Sequence, residues 1–203
     1  MKRIGLLGGS FNPAHAAHRH ISLEAMRLLG LDEVWWLVSP QNPLKPQAGM
    51  ASLEARLASA QAAARHPRIL PTAIEVELGT RFAVDTVAAL QRSHPGTRFI
   101  WLAGADILTE LHRWHRWRAF ASQIPIAVFA RPGYLGAALT APAMAWLRRW
   151  RRPASQAGRW TAFGAPAILV FNIRTSPLSA TSLRKSDPAW YRRHINTLEK
   201  ARP

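Results

Sequence analysis

Cysteine is absent from the 203 residues, which excludes disulfides, thiolate zinc sites and cysteine nucleophiles together. No apolar run approaches the ~18 residues that a membrane-spanning helix needs, so the chain is expected not to enter a bilayer. The opening apolar stretch breaks at Gly8-Gly9 and no small-residue cleavage site follows, so it does not read as a secretory signal. A cytoplasmic protein is expected. No internal repeat and no interdomain linker appear. With 48% hydrophobic and 19% charged residues, the composition fits one globular domain over residues 1–203.

Acidic residues are scarce: 11 Asp and Glu stand against 27 Lys and Arg, a net charge of +16. The scarcity is local. Residues 1–110 hold 11 basic and 9 acidic side chains, whereas residues 111–203 hold 16 and 2, with no carboxylate between Glu110 and Asp187. Such asymmetry points to an anionic partner: nucleic acid, a membrane surface or phosphorylated metabolites. One segment, about 146–160, interleaves Trp146, Trp150 and Trp160 with Arg148, Arg149, Arg151, Arg152 and Arg159. It reads either as a single-strand-binding patch or as a surface segment with solvated arginines and inward tryptophans.

The first forty residues contain one β-α-β unit. Lys2–Leu7 has the length of a buried strand, Gly8 to Pro13 is a turn, and Ile21, Ala25 and Leu28 recur at helical spacing until Gly30 closes the helix. Glu33–Val38 is a second strand, ended by Ser39-Pro40. Further on, residues 51–65 read as an alanine-rich helix stopped by His66-Pro67, and residues 69–76 as one or two short strands interrupted by Pro71. A helix over Val84–Leu90, a strand over Arg98–Leu102, a further helix, then strands at Ile124–Ala130 and Ile168–Phe171 follow. Strands alternating with helices predict an α/β fold with an open, mostly parallel, Rossmann-like sheet and helices on both faces. Ligands of such sheets bind beyond the carboxyl ends of the strands.

The segment Gly8-Gly9-Ser10-Phe11-Asn12-Pro13-Ala14-His15-Ala16-Ala17-His18 carries the most chemistry. It puts a glycine turn after the first strand and directly before a helix, where free backbone N–H groups and the helix dipole receive phosphate. His15 and His18, three residues apart, share one face of the first turn and can donate to phosphate oxygens. A metal pair or ordinary surface histidines are the other readings, and the first has no cysteine or acidic cluster to complete it.

That segment resembles the signature of the nucleotidyltransferase superfamily with its HxGH-type motif. Further matches run in order: Ser39-Pro40-Gln41-Asn42-Pro43-Leu44-Lys45, Asp85-Thr86, Gly104-Ala105-Asp106, Trp114-His115-Arg116-Trp117, Arg131-Pro132-Gly133-Tyr134 and Leu178-Ser179-Ala180-Thr181-Ser182-Leu183-Arg184. As a set they resemble the bacterial nicotinate-nucleotide adenylyltransferases across residues 5–184. The resemblance implies a nucleotidyltransferase-type fold and transfer of the adenylyl group of ATP to nicotinate mononucleotide, with pyrophosphate leaving and Mg²⁺ carried on the ATP phosphates. A phosphate monoester is largely dianionic at neutral pH, its second pKa being about 6, so the attack needs no general base. Catalysis then rests on alignment and charge neutralisation. The lack of a conspicuous catalytic carboxylate pair or Ser-His-Asp set agrees with this.

The resemblance also implies roles. His15 and His18 would contact the ATP phosphates; Gly8, Gly9, Ser10 and Phe11 would form the turn holding phosphate and adenosine. Lys45 would close over the triphosphate, or is a solvated loop lysine. Ser179, Thr181 and Arg184 match a Ser-x-Thr-x-x-Arg phosphate motif, which alone reads as a helix cap with a surface arginine. Asp85, Thr86, Gly104, Asp106 and Trp114 would bind the mononucleotide, with Trp114 stacked on the pyridine unless it is a core tryptophan, and Arg131 near its phosphate. Ala17 stands where the family has glycine, Asn12 where aspartate is usual, and Ala83 where threonine is common; the tail 185–203 is unlike the family ending. Two other readings remain: an adenylyltransferase acting on nicotinamide mononucleotide or another phosphate acceptor, and a basic nucleic-acid-binding protein.

Overall fold

The structure, a computed structural model, describes residues 1–40, 49–130, 135–173 and 180–194. In chain order it contains β1 (Lys2–Gly9), α1 (Ala16–Leu29), β2 (Glu33–Val38), α2 (Leu53–Ala64), β3 (Ile69–Thr72), α3 (Ile74–Glu77), α4 (Ala83–Ser93) and β4 (Thr97–Gly104). There follow α5 (Ala105–Glu110), α6 (Trp117–Ala121), β5 (Ile126–Ala130), α7 (Leu135–Thr140), α8 (Pro142–Leu147), β6 (Arg151–Arg152), β7 (Ile168–Asn172) and α9 (Ala180–Ser186). The strands form one parallel sheet in the order β3-β2-β1-β4-β5-β7-β6. Chain direction across the sheet reverses between β1 and β4, which pair from Lys2–Thr97 to Leu7–Leu102. A crevice opens at that switch point, beyond the carboxyl ends.

Period-two alternation along the central strands feeds two cores. Phe99, Trp101, Ile126 and Val128 join Val84, Leu90, Leu108 and Phe120 on the face covered by α4, α5, α6 and α8. Ile100, Leu102, Ala127 and Phe129 join Leu29, Ala60 and Trp160 on the face covered by α1, α2 and the 3-10 segment Ala154–Ala162. Both faces of the sheet are thus buried by helices, as βαβ connections require.

Several sequence expectations shift in detail. Helix α1 starts at Ala16, after the turn, and ends as expected where Gly30 adopts a left-handed φ of 60°, sending its N–H to the Met26 carbonyl. The stretch 69–76 holds one strand, not two: β3 retains Pro71 because it is an edge strand, and α3 replaces the second. Strand β7 is the last in sequence but not in space, since the two-residue β6 lies outside it. The segment 146–160 folds inward with its tryptophans. Trp160 is buried and donates to the Leu29 carbonyl at 2.9 Å, while Trp146 packs edge-on against Trp117 at 5.4 Å. Its arginines stay exposed.

Candidate active site

Beyond the carboxyl ends of β1 and β4 lies a cavity of about 670 Å³. The turn leaving β1 forms one wall. Gly8 is required there by close approach: a Cβ would lie 2.6 Å from the Trp101 ring. Phe11 takes a left-handed φ of 47°, unusual for a side chain of its size, and is buried against Trp36, the two rings stacking at 5.2 Å.

The two histidines stand at the start of α1, their ring centroids 4.0 Å apart. His18 is held by Phe11 at 4.7 Å and Trp36 at 5.8 Å. Its Nδ1 accepts the His15 backbone N–H at 3.2 Å. Neutral His18 therefore carries its proton on Nε2, as a donor. Trp36 itself is satisfied: its indole N–H donates to Ser22 at 2.8 Å, and Ser22 donates to the His18 carbonyl at 2.9 Å.

A buried guanidinium organises this wall. Arg56 in α2 is 1% exposed and donates to four carbonyls: Ala51 at 3.0 Å, Ser10 at 2.9 Å, Ser39 at 2.6 Å and Pro40 at 2.9 Å. It ties the turn after β1 to the end of β2. Burial lowers its pKa, with Glu54 opposing, yet it stays charged. Asn12 acts alongside, its amide donating to the Gly49 carbonyl at 3.0 Å and accepting from the Ala51 N–H at 3.2 Å. An aspartate could not donate to Gly49, so asparagine has its own structural reason here.

The opposite wall comes from the other face of the sheet. Gly104 closes β4, with the Asp106 carboxylate folded over it. Trp114 is half-buried, edge-on to Trp101 at 5.9 Å and tilted on Phe120 at 5.5 Å. Phe82, at the start of α4, stacks on His115 at 4.2 Å. Glu75 in α3, 7% exposed, also lines this cavity; its carboxyl is pushed up to about 6, chiefly by burial, while the Ser39 and Thr86 hydroxyls pull it down.

A family model described as cytidylyltransferase-like matches residues 6–186, most of the chain. The chain belongs to this family. It is 53% identical over 199 residues to a probable nicotinate-nucleotide adenylyltransferase of Erythrobacter litoralis, covering 97% of this chain and 90% of that relative. The corresponding Parvibaculum lavamentivorans protein, also named a probable nicotinate-nucleotide adenylyltransferase, is 51% identical over 183 residues, covering 90% and 91%. Among solved structures, Plasmodium falciparum nicotinic acid mononucleotide adenylyltransferase complexed with NaAD matches with a TM-score of 0.66 at 15% identity, over 91% of this chain and 83% of that one. That match is one of fold. The family resemblance carried by the ordered motifs is borne out.

In this cytidylyltransferase-like chain the cavity brings together Gly8, Gly9, Ser10, Phe11, His15 and His18 on one wall and Gly104, Asp106 and Trp114 on the other, with Thr181 from α9 at the rim. Arg184 donates to the Asn12 carbonyl and to the Thr181 hydroxyl, so the late motif docks on the first turn across 172 residues of sequence. Three expected residues do not line the cavity: Arg184, which reaches it only through its bonds to Asn12 and Thr181, and Thr86 and Asp85. Thr86 is buried behind it, its hydroxyl shared between Thr80 at 2.9 Å and Glu75 at 3.3 Å, and Asp85 is half-buried in the first turn of α4. Lys45, Arg131 and Ser179 lie outside the described residues. None of residues 146–160 lines the cavity.

Sequence reasoning passed over Arg56 and Glu75. Arg56 left one signal: it stands amid alanines, with Ser59 and Ala60 at the spacing of a buried helical face. Glu75 left none, because it sits in a stretch that reads as strand.

Proposed function

We propose that this chain transfers the adenylyl group of ATP to nicotinate mononucleotide, giving nicotinate adenine dinucleotide and pyrophosphate. One observation carries the reading: a single cavity at the switch point joins a two-histidine helix start on one sheet face to an aromatic wall on the other. Relatives about half identical over nearly their whole length support the choice of substrates.

ATP phosphates would lie against the turn after β1, facing backbone amides, His15 and the Nε2–H of His18, with Arg184 and Thr181 at the rim. The acceptor phosphate oxygen attacks the α-phosphorus, a new P–O bond forms, and the α–β bridging bond breaks as pyrophosphate leaves. His18, held as a preorganised donor, stabilises the charge that develops. Trp114 would hold the pyridinium ring, since aromatic faces attract cationic rings. Lys45 and Arg131 are proposed to add positive charge over the triphosphate and the acceptor phosphate. Asp85 and Thr86 would support the acceptor wall from behind.

Among the described residues no three His, Asp or Glu side chains group as a metal site. We propose that a magnesium ion is carried by the ATP phosphates, which suits a cavity walled by histidines and backbone amides. When bound there, it neutralises the leaving pyrophosphate. Reliance on ATP supports a cytoplasmic setting; among the described residues no helix is long and apolar enough to cross a membrane. The reverse reaction tests the reading. Nicotinate adenine dinucleotide with pyrophosphate should yield ATP and nicotinate mononucleotide, and the absence of ATP formation would refute it.

A further inference from the structure

Glu75 is used by neither the motifs nor the chemistry above. It is buried, yet it lines the cavity, whereas the other cavity carboxylates, Asp106 and Glu110, are exposed. Its Oε1 accepts from the Thr86 hydroxyl at 3.3 Å, and its backbone carbonyl accepts the Thr80 N–H at 2.9 Å. Its Oε2 is buried and takes no hydrogen bond of ordinary geometry; the Ser39 hydroxyl is near enough to the carboxyl to lower its pKa but does not satisfy that oxygen. Buried acceptors are nearly always paired, and an exception in a cavity wall marks a place where a ligand supplies the partner.

We infer that Glu75 is a specificity-determining contact of the acceptor subsite, its Oε2 accepting a hydrogen bond from a ribose hydroxyl of the bound mononucleotide. The inference rests on the adenylyl-transfer reading. Two observations set the side and the chemistry. Ile74, Phe82, Ala83 and Trp114 pack on the same sheet face, whereas Phe11 and the helix bearing His15 and His18 belong to the opposite one. Glu75 therefore shares the aromatic wall. An ionised carboxylate only accepts, and a pyridine mononucleotide presents phosphate oxygens, a ring carboxylate and ribose hydroxyls, of which only the hydroxyls donate. The cationic ring nearby also favours a negative neighbour.

The other titratable and charged groups facing the cavity are Arg81 on the turn before α4, His15 and His18 from α1, Asp106 and Glu110 from α5, and Arg113 and His115 after it. Among the described residues none of them forms an ion pair with Glu75. Burial, not a charge partner, sets its high pKa of about 6.

The test compares wild type with Glu75→Gln and Glu75→Ala in steady-state kinetics with ATP and nicotinate mononucleotide. Glutamine keeps an acceptor for Thr86, so the wall stays built. For Glu75→Gln the acceptor KM should rise about tenfold, the scale of one hydrogen bond to a charged group, with the ATP KM within about twofold. Glu75→Ala should lose at least as much. The wild-type advantage in kcat/KM for the acceptor should be small at pH 5, where Glu75 is protonated, and grow as pH rises through about 6. With acceptors lacking one or the other ribose hydroxyl, one analogue should bring wild type and Glu75→Gln level. Acceptor and ATP KM values rising together, an unchanged acceptor KM in Glu75→Gln, or a gap that persists with both deoxy acceptors would each overturn the inference. Absence of any adenylyl transfer by wild type would instead strike the underlying reading.

Discussion

Replacing Arg56 by methionine tests whether the candidate site is held by one buried cation. The substitution keeps an unbranched apolar stem but removes donors from the carbonyls of Ser10, Ser39, Pro40 and Ala51, bonded at 2.6–3.0 Å. Each charge-assisted bond contributes about 1.5–3 kcal/mol, and relieving the buried guanidinium of its desolvation offsets part of the sum. A net loss of about 3–5 kcal/mol is expected, the scale of leaving several buried carbonyls without a donor. For a chain of this size that corresponds to a fall in Tm of about 6–20 °C. Arg56→Lys keeps the charge but not the planar fork, so it should recover part of the loss. Thermal unfolding followed by circular dichroism measures the first effect. At a temperature where Arg56→Met remains folded, its ATP KM should rise more than its acceptor KM, because Ser10 belongs to the wall before α1. A Tm within about 2 °C of wild type, less than 1 kcal/mol on this scale, would refute the reasoning.

Three further outcomes are expected. His18→Ala should lower kcat about 10²-fold or more, the scale of one preorganised donor, with a much smaller change in ATP KM; steady-state kinetics decide, and an equal rise in ATP KM would make His18 a binding residue only. Trp114→Ala should raise the acceptor KM roughly 5- to 100-fold by analogy with base–aromatic stacks, leaving the ATP KM nearly unchanged, and Trp114→Phe should recover part of it; both KM values rising together with a lower Tm would make Trp114 a packing residue. Glu75→Gln should stabilise the ligand-free protein at pH 8. A carboxyl raised from 4.5 to about 6 on folding favours the folded state below pH 4.5 and loses that contribution as pH rises through about 6. The gain at pH 8 is about 2 kcal/mol, measurable by urea denaturation, and should vanish at pH 4; a gain equal at both pH values would contradict it.

The fold was legible where one element carried several concordant signals. Strand β1, its glycine turn and helix α1 with Gly30 at the end each follow from local chemistry, and so do β2, β4 and β5. What stayed hidden depends on tertiary placement. Pro71 stops a central strand but not an edge strand, and edge position is set by neighbours far along the chain. The two-residue β6, made of two exposed arginines, has no apolar pattern to find. For the site, the motifs named most of the cavity wall, because glycine turns, histidine spacing and aromatic positions are local features. Arg56 and Glu75 were invisible for the opposite reason. A charged side chain reads as surface, and only the assembled sheet shows which ones are enclosed.

Pyrophosphate release measured with ATP against a panel of mononucleotide acceptors tests the central claim most directly. The structure and its relatives predict release with nicotinate mononucleotide at a kcat/KM above that for nicotinamide mononucleotide and non-pyridine nucleotides, and release that stops when the acceptor phosphate is removed. Release that is equal across the panel, or independent of any acceptor, would contradict an adenylyltransferase specific for nicotinate mononucleotide.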